Sequence, residues 1–175
     1  MPRELTSEVT EFRRTSILSF LEGLISYATE KGLRSAICWV PPELLPIGFS
    51  LEDAAALRGI AALAVDPHWI AAGRTVADFF VPYLKRAREV ARSLNVPLQV
   101  WLQGFRVPQG RERELFEGAR IARGAGVDYL AIWHHQGMSA LFPGDPQGLE
   151  RTIDAILREV HRSRPQFFPI ILRIL

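Results

Sequence analysis

The stretch Leu98-Gln99-Val100-Trp101-Leu102-Gln103-Gly104-Phe105-Arg106-Val107-Pro108-Gln109-Gly110 decides how the chain is read. An apolar run enters a polar, glycine-hinged loop, and a helical pattern opens near Arg111. Side chains alternate along a strand, so Gln99, Trp101 and Gln103 share one face while Val100 and Leu102 share the other. Two amides and an indole do not make a simple packing surface. That face is expected to look into a site.

The strand is flanked by amphipathic helices. Between Thr75 and Leu94, Val76, Phe79, Phe80, Tyr83, Leu84, Ala87, Val90, Ala91 and Leu94 form one side, and Lys85, Arg86, Arg88 and Arg92 lie mostly on the other. A second helix is predicted over about 111–123, ended by Gly124-Ala125-Gly126, and a further strand over 128–133. Upstream, 60–66 reads as a strand closed by Pro67-His68-Trp69, and 35–40 as a short buried strand stopped by Pro41-Pro42. Ser50-Leu51-Glu52-Asp53 is a helix-opening capping signature. The first helix is predicted over 7–31, with an apolar stripe of Ile17, Phe20, Leu21, Leu24, Ile25 and Ala28 that needs covering. A last helix is marked by Leu149, Ile153, Ile156, Leu157 and Val160, and 166–175 is an apolar tail after a single domain over 1–165.

Strands alternating with helices imply an α/β fold of parallel βα repeat units with right-handed crossovers. The four tryptophans, Trp39, Trp69, Trp101 and Trp133, fall at or just after strand ends and are separated by 30, 32 and 32 residues. That interval is one βα unit. Leu63 and Val65, Val100 and Leu102, Leu130 and Ile132 suit packing under helices. The opposite face holds Ala62, Ala64 and Asp66, then Gln99, Trp101 and Gln103, then Ala131 and Trp133. Small residues below and polar or aromatic ones above predict a site at the carboxyl ends of the strands. Four units make half of a TIM-type barrel, part of a longer barrel, or a smaller open sheet. Exposed edges in the first two cases predict a homo-oligomer, a homodimer or larger.

Composition narrows the class. The chain has 175 residues, 48% hydrophobic and 23% charged, which fits one ordinary domain. No apolar run reaches the ~20 residues that span a bilayer, and the start is polar and acidic, so a cytoplasmic protein without a membrane partner is expected. A net charge of +2, with arginines spread through helices, does not argue for nucleic acid. Cys38 is the one cysteine, read as a small buried side chain. With no P-loop or dinucleotide fingerprint, no cofactor is expected, and Gly104 and Gly110 are read as loop geometry.

Four segments carry a family likeness: Phe12-Arg13-Arg14-Thr15-Ser16-Ile17, Asp66-Pro67-His68-Trp69, Trp101-Leu102-Gln103-Gly104-Phe105-Arg106 and Ile132-Trp133. Together they resemble the C-terminal half of a (βα)8 glycoside-hydrolase-like protein. In the large retaining clan of such enzymes the acid/base carboxylate follows the fourth strand, the nucleophile the seventh, and an aromatic residue the eighth. With the first strand here matched to the fifth of that clan, the resemblance places Trp133 at the aromatic, Gln103 near the nucleophile, and the acid/base upstream of Met1. Gln103 departs from the pattern, because hydrolysis needs two carboxyl groups and an amide supplies neither role.

Asp66 is the inner-face carboxylate at a strand end, and Glu43, in the loop after another strand, is the candidate to approach it as a second catalytic group. The bland reading of Asp66 is a helix cap or a partner for Arg106. Trp101 and Trp133 suit stacking on a sugar, with Gln103 and Arg106 as hydrogen-bonding groups, and Trp39, His68, Trp69 and His134 complete the predicted substrate-binding set. A hydrolytic zinc site of Asp66 with His68, His134 and His135 is conceivable but lacks a short two-histidine spacing, so no metal is assigned. His161 is read as a solvent-facing helix residue. The sequence therefore predicts a protein that binds or hydrolyses a carbohydrate or other small molecule, with a non-catalytic half-barrel acting in assembly or ligand binding as the alternative.

Overall fold

The structure, a computed structural model, describes residues 6–45, 48–105, 107–108, 110–133 and 158. Expectations for Arg106, His134, His135, His161, the last helix and the apolar tail lie outside these residues.

Four strands, β1 (Ser35–Trp39), β2 (Ile60–Val65), β3 (Leu98–Gln103) and β4 (Tyr129–Trp133), form one parallel sheet in the order β1-β2-β3-β4. The helices are α1 (Ser7–Glu30), α2 (Leu51–Ala56), α3 (Val81–Ser93) and α4 (Glu112–Gly124). The chain is thus an α/β protein of alternating βα units. Register puts Leu63 beside Leu98, Val65 beside Val100 and Leu102 beside Ile132, so the aliphatic residues line up on one face. They are packed with Leu51, Ala54 and Ala55 of α2, Leu84, Ala87 and Ala91 of α3, and Leu115, Ala119 and Ala122 of α4 in one core. The opposite, inner face carries a separate small cluster of Ala64, Trp101 and Ala131 with Trp133 against it.

The capping signature at Ser50 is fully formed. Ser50 Oγ accepts from Asp53 N at 3.0 Å, and Asp53 Oδ2 accepts from Ser50 N at 2.9 Å. Arg14 of α1 donates to both Asp53 oxygens, at 2.9 and 2.6 Å, and so ties α1 to the start of α2. The Arg14 hydrogen bond, with the two bonds from Ser50, holds the Asp53 carboxyl well below the usual carboxylate range against the cost of burial. A depressed carboxylate contributes stability above its unfolded pKa and loses it as pH falls through the folded value. We expect acid unfolding followed by circular dichroism to show a step below the ordinary aspartate range, about pH 4. Asp53→Asn should be less stable at neutral pH by ~1 kcal/mol and lack that step.

The helical pattern over 75–94 is not one uniform α-helix. Thr75 caps a π-helical turn, Val76–Phe80, which leads into α3. Pro82 has no N–H and cannot close the usual ladder, so the wider turn before it absorbs the break.

Two sequence expectations are corrected. The single stripe of α1 is split: Ile25 is buried and Ile17, Leu21 and Ala28 are half-buried, whereas Phe20 and Leu24, with Phe12 and Tyr27, are exposed. The apolar positions extend around more of the helix than one contact covers. Residue Cys38 is exposed rather than buried, because β1 lies at the sheet edge and its inner-face positions, Ala36 and Cys38, are open. Desolvation by the surrounding strands first, and then the charge of Asp66, push the Cys38 thiol up to about 12.

Candidate functional site

Strand alternation builds the site. Ala64 pairs with Cys38 on one side and Gln99 on the other, and Trp101 pairs with Ala131 one step further toward the carboxyl ends. Asp66 follows β2 in the same parity as Ala64, and its N–H donates to Trp39 O at 3.0 Å, which extends the β1–β2 pairing by one residue. Two residues on, His68 returns so that its Nε2 meets Asp66 Oδ1. These two atoms are buried and have each other as their neighbour. Phe105, after β3, sets its ring edge-on to the imidazole at 5.0 Å.

The indoles of Trp101 and Trp133 meet edge to face at 5.8 Å. Trp101 is 9% exposed, and its buried Nε1–H has no hydrogen-bond partner. Leaving such a donor unpaired costs ~1–3 kcal/mol, so it is a group that a ligand oxygen would satisfy. Gln99, 6% exposed on the same face, makes no side-chain hydrogen bond among the described residues. Ala64 lies beside Gln99 and Ala131 beside Trp101, and the two alanines pack with the indoles in one small cluster. The inner face therefore assembles an oriented imidazole–carboxylate pair, an unpaired indole donor, a free amide and two aromatic rings.

Of the predicted site residues, Asp66 and His68 meet after β2, and Trp101 and Trp133 meet on the inner face of β3 and β4. The structure places four other candidates elsewhere. Trp39 pairs with Val65 and lies in the helix-side core, its Nε1 donating to Phe49 O at 3.2 Å and its ring against Tyr83. Trp69 is fully buried in the same core, edge-on to Phe80 at 5.1 Å, and donates to Glu114 Oε2 at 2.8 Å. Gln103 is fully buried with both ends of its amide used: Oε1 accepts from Ala71 N at 3.0 Å and Nε2 donates to Phe105 O at 2.8 Å. It braces the loop after β2 against the end of β3.

Glu43 does not stand with Asp66. Its carboxylate accepts from the Tyr83 hydroxyl, at 2.6 and 2.5 Å, on the helix side of the sheet. Burial first, and then the Glu43 hydrogen bond and charge, push Tyr83 up to about 12. Glu43 and Tyr83 line a cleft of about 400 Å³ with Arg74, Asp78, Phe79 and Arg86. Among the described residues no group of three or more His, Cys, Asp or Glu is arranged to hold a metal ion.

Cys38 and Gln99 are among the inner-face residues that sequence reasoning left out of the site, with Tyr129, the partner of Gln99 on β4. Parity carried the signal for Cys38 and Gln99, since each occupies the position beside Ala64. Gly104 has a specific reason to be glycine: a Cβ there would come within 2.7 Å of Trp133 O and 2.8 Å of Ile132 Cγ2, just where Gly104 N donates to Trp133 O. This close approach holds the start of the loop after β3 against β4, beside Trp133.

No family model, no curated protein and no solved structure matches the chain. Among the described residues no helix is long and apolar enough to cross a membrane.

Proposed function

We propose that the inner face at the carboxyl ends of β2, β3 and β4 binds a carbohydrate. The observation that carries this reading is the buried, unpaired Nε1–H of Trp101 in a wall of two indoles. A sugar offers an apolar C–H face to the rings and oxygens to the indole donor, the Gln99 amide and the Asp66–His68 pair. Binding is favoured over hydrolysis, because glycoside cleavage needs two carboxyl groups ~5–10 Å apart and Glu43, the candidate second group, is held by Tyr83 on the other side of the sheet. Titration with a panel of mono- and disaccharides, followed by calorimetry, tests this. Trp101→Phe keeps a ring and removes the donor, and should weaken binding about 3- to 10-fold. Equal affinity of the variant, or no binding by any saccharide, overturns the proposal.

A specific observation favours a second reading, a half-barrel acting in assembly with a second copy of the chain: the exposed stripe of Phe12, Phe20, Leu24 and Tyr27 on α1, next to edge strand β1. Light scattering decides it, since a monomer at working concentration removes that reading.

A further inference from the structure

Asp66 places a carboxylate on the inner face, with the His68 imidazole against one side of it. Asp66 Oδ1 meets His68, while Oδ2 makes no hydrogen bond among the described residues. The field of this carboxylate reaches across to β1, where, after desolvation, it helps to hold the Cys38 thiol in its neutral form. The inner-face positions of the four strands are otherwise Ala36, Ile60, Ala62, Ala64 and Ala131, the amides of Gln99 and Gln103, the phenol of Tyr129, and the indoles of Trp101 and Trp133. None of these positions carries a lysine or arginine. Aromatic faces attract cations, and a partly buried carboxylate repels anions more strongly than one in open water.

We infer that the inner face selects sugars bearing an ammonium group over sugars bearing a carboxylate or a phosphate. The inference rests on the carbohydrate reading above and adds the charge class of the ligand. The ring C–H face lies on an indole, a ring oxygen or hydroxyl accepts from Trp101 Nε1, and the ammonium takes the place nearest Asp66.

The test compares glucosamine with its amine protonated, glucose, glucuronic acid and glucose 6-phosphate at one low ionic strength. Glucosamine should bind about tenfold more tightly than either anionic sugar, with glucose between them. Asp66→Asn should bring that ratio to within about threefold, and added salt should narrow it in the unaltered protein. The salt measurement keeps the test valid if the variant folds poorly. An anionic sugar binding as tightly as glucosamine overturns the inference, as does a ratio unchanged by both salt and Asp66→Asn. If glucose binds and the charged sugars do not differ, the charge inference alone falls. If none of the four binds, the carbohydrate reading falls and takes the inference with it.

Discussion

Trp69→Ala is expected to cost ~3–5 kcal/mol, a large part of the ~5–15 kcal/mol that holds an ordinary domain folded. The indole is fully buried between the loop after β2 and α4, edge-on to Phe80. Gly118 sits where a Cβ would approach the Trp69 Cη2 at 3.1 Å, so α4 is shaped around this ring. Its Nε1–H also helps Arg111 hold the Glu114 carboxyl below its usual range. Removing the side chain opens a cavity and takes a partner from Glu114 at once. Trp69→Phe should lose only ~1–2 kcal/mol, because most of the packing stays and Glu114 keeps Arg111, at 2.6 Å. Chemical denaturation measures both values. Saccharide affinity should be unchanged in Trp69→Phe, and a marked loss of affinity with intact stability would return Trp69 to the binding site.

The second large effect is expected at Gln103. Gln103→Leu keeps a similar volume but strands the Ala71 N–H and the Phe105 carbonyl, each of which loses a buried partner. At ~1–3 kcal/mol per unsatisfied group, the loss should be ~2–5 kcal/mol. The loop carrying His68 and Trp69 should exchange its amide hydrogens faster, because the brace to β3 is gone. A stable Gln103→Leu protein with weakened ligand binding would instead make the amide a ligand contact.

The strands and their facing were legible because alternation is strict: Leu63 and Val65, Val100 and Leu102, Leu130 and Ile132 all pack under the helices. The tryptophan repeat matched the mean length of the βα unit but not the individual units, whose strands begin 25, 38 and 31 residues apart, and it did not imply a common face. Trp101 and Trp133 lie on the inner face, whereas Trp39 shares parity with Ile37 and pairs with Val65, which turns it toward Tyr83. That signal was present in the spacing of β1. Trp69 lies past the end of β2, where strand parity no longer applies, and its place is set by Phe80 and by Glu114, a residue 45 positions away. Pattern alone does not bring such partners together. Gln103 shows a related limit, since its parity is correct for the inner face but the local demand of two backbone groups captures its amide. Glu43 was drawn away by a tyrosine 40 residues downstream for the same reason.

The four indole N–H groups provide the most direct test of the inner face as a ligand site. Trp39 and Trp69 donate to fixed partners in the core, while Trp101 Nε1–H is unpaired beside Trp133. In a nitrogen–proton correlation spectrum recorded during titration with glucosamine, the Trp101 indole signal should move downfield as it gains an acceptor, with Trp133 following. The Trp39 and Trp69 signals should stay in place. Movement of Trp39 or Trp69 with a stationary Trp101 would contradict the account.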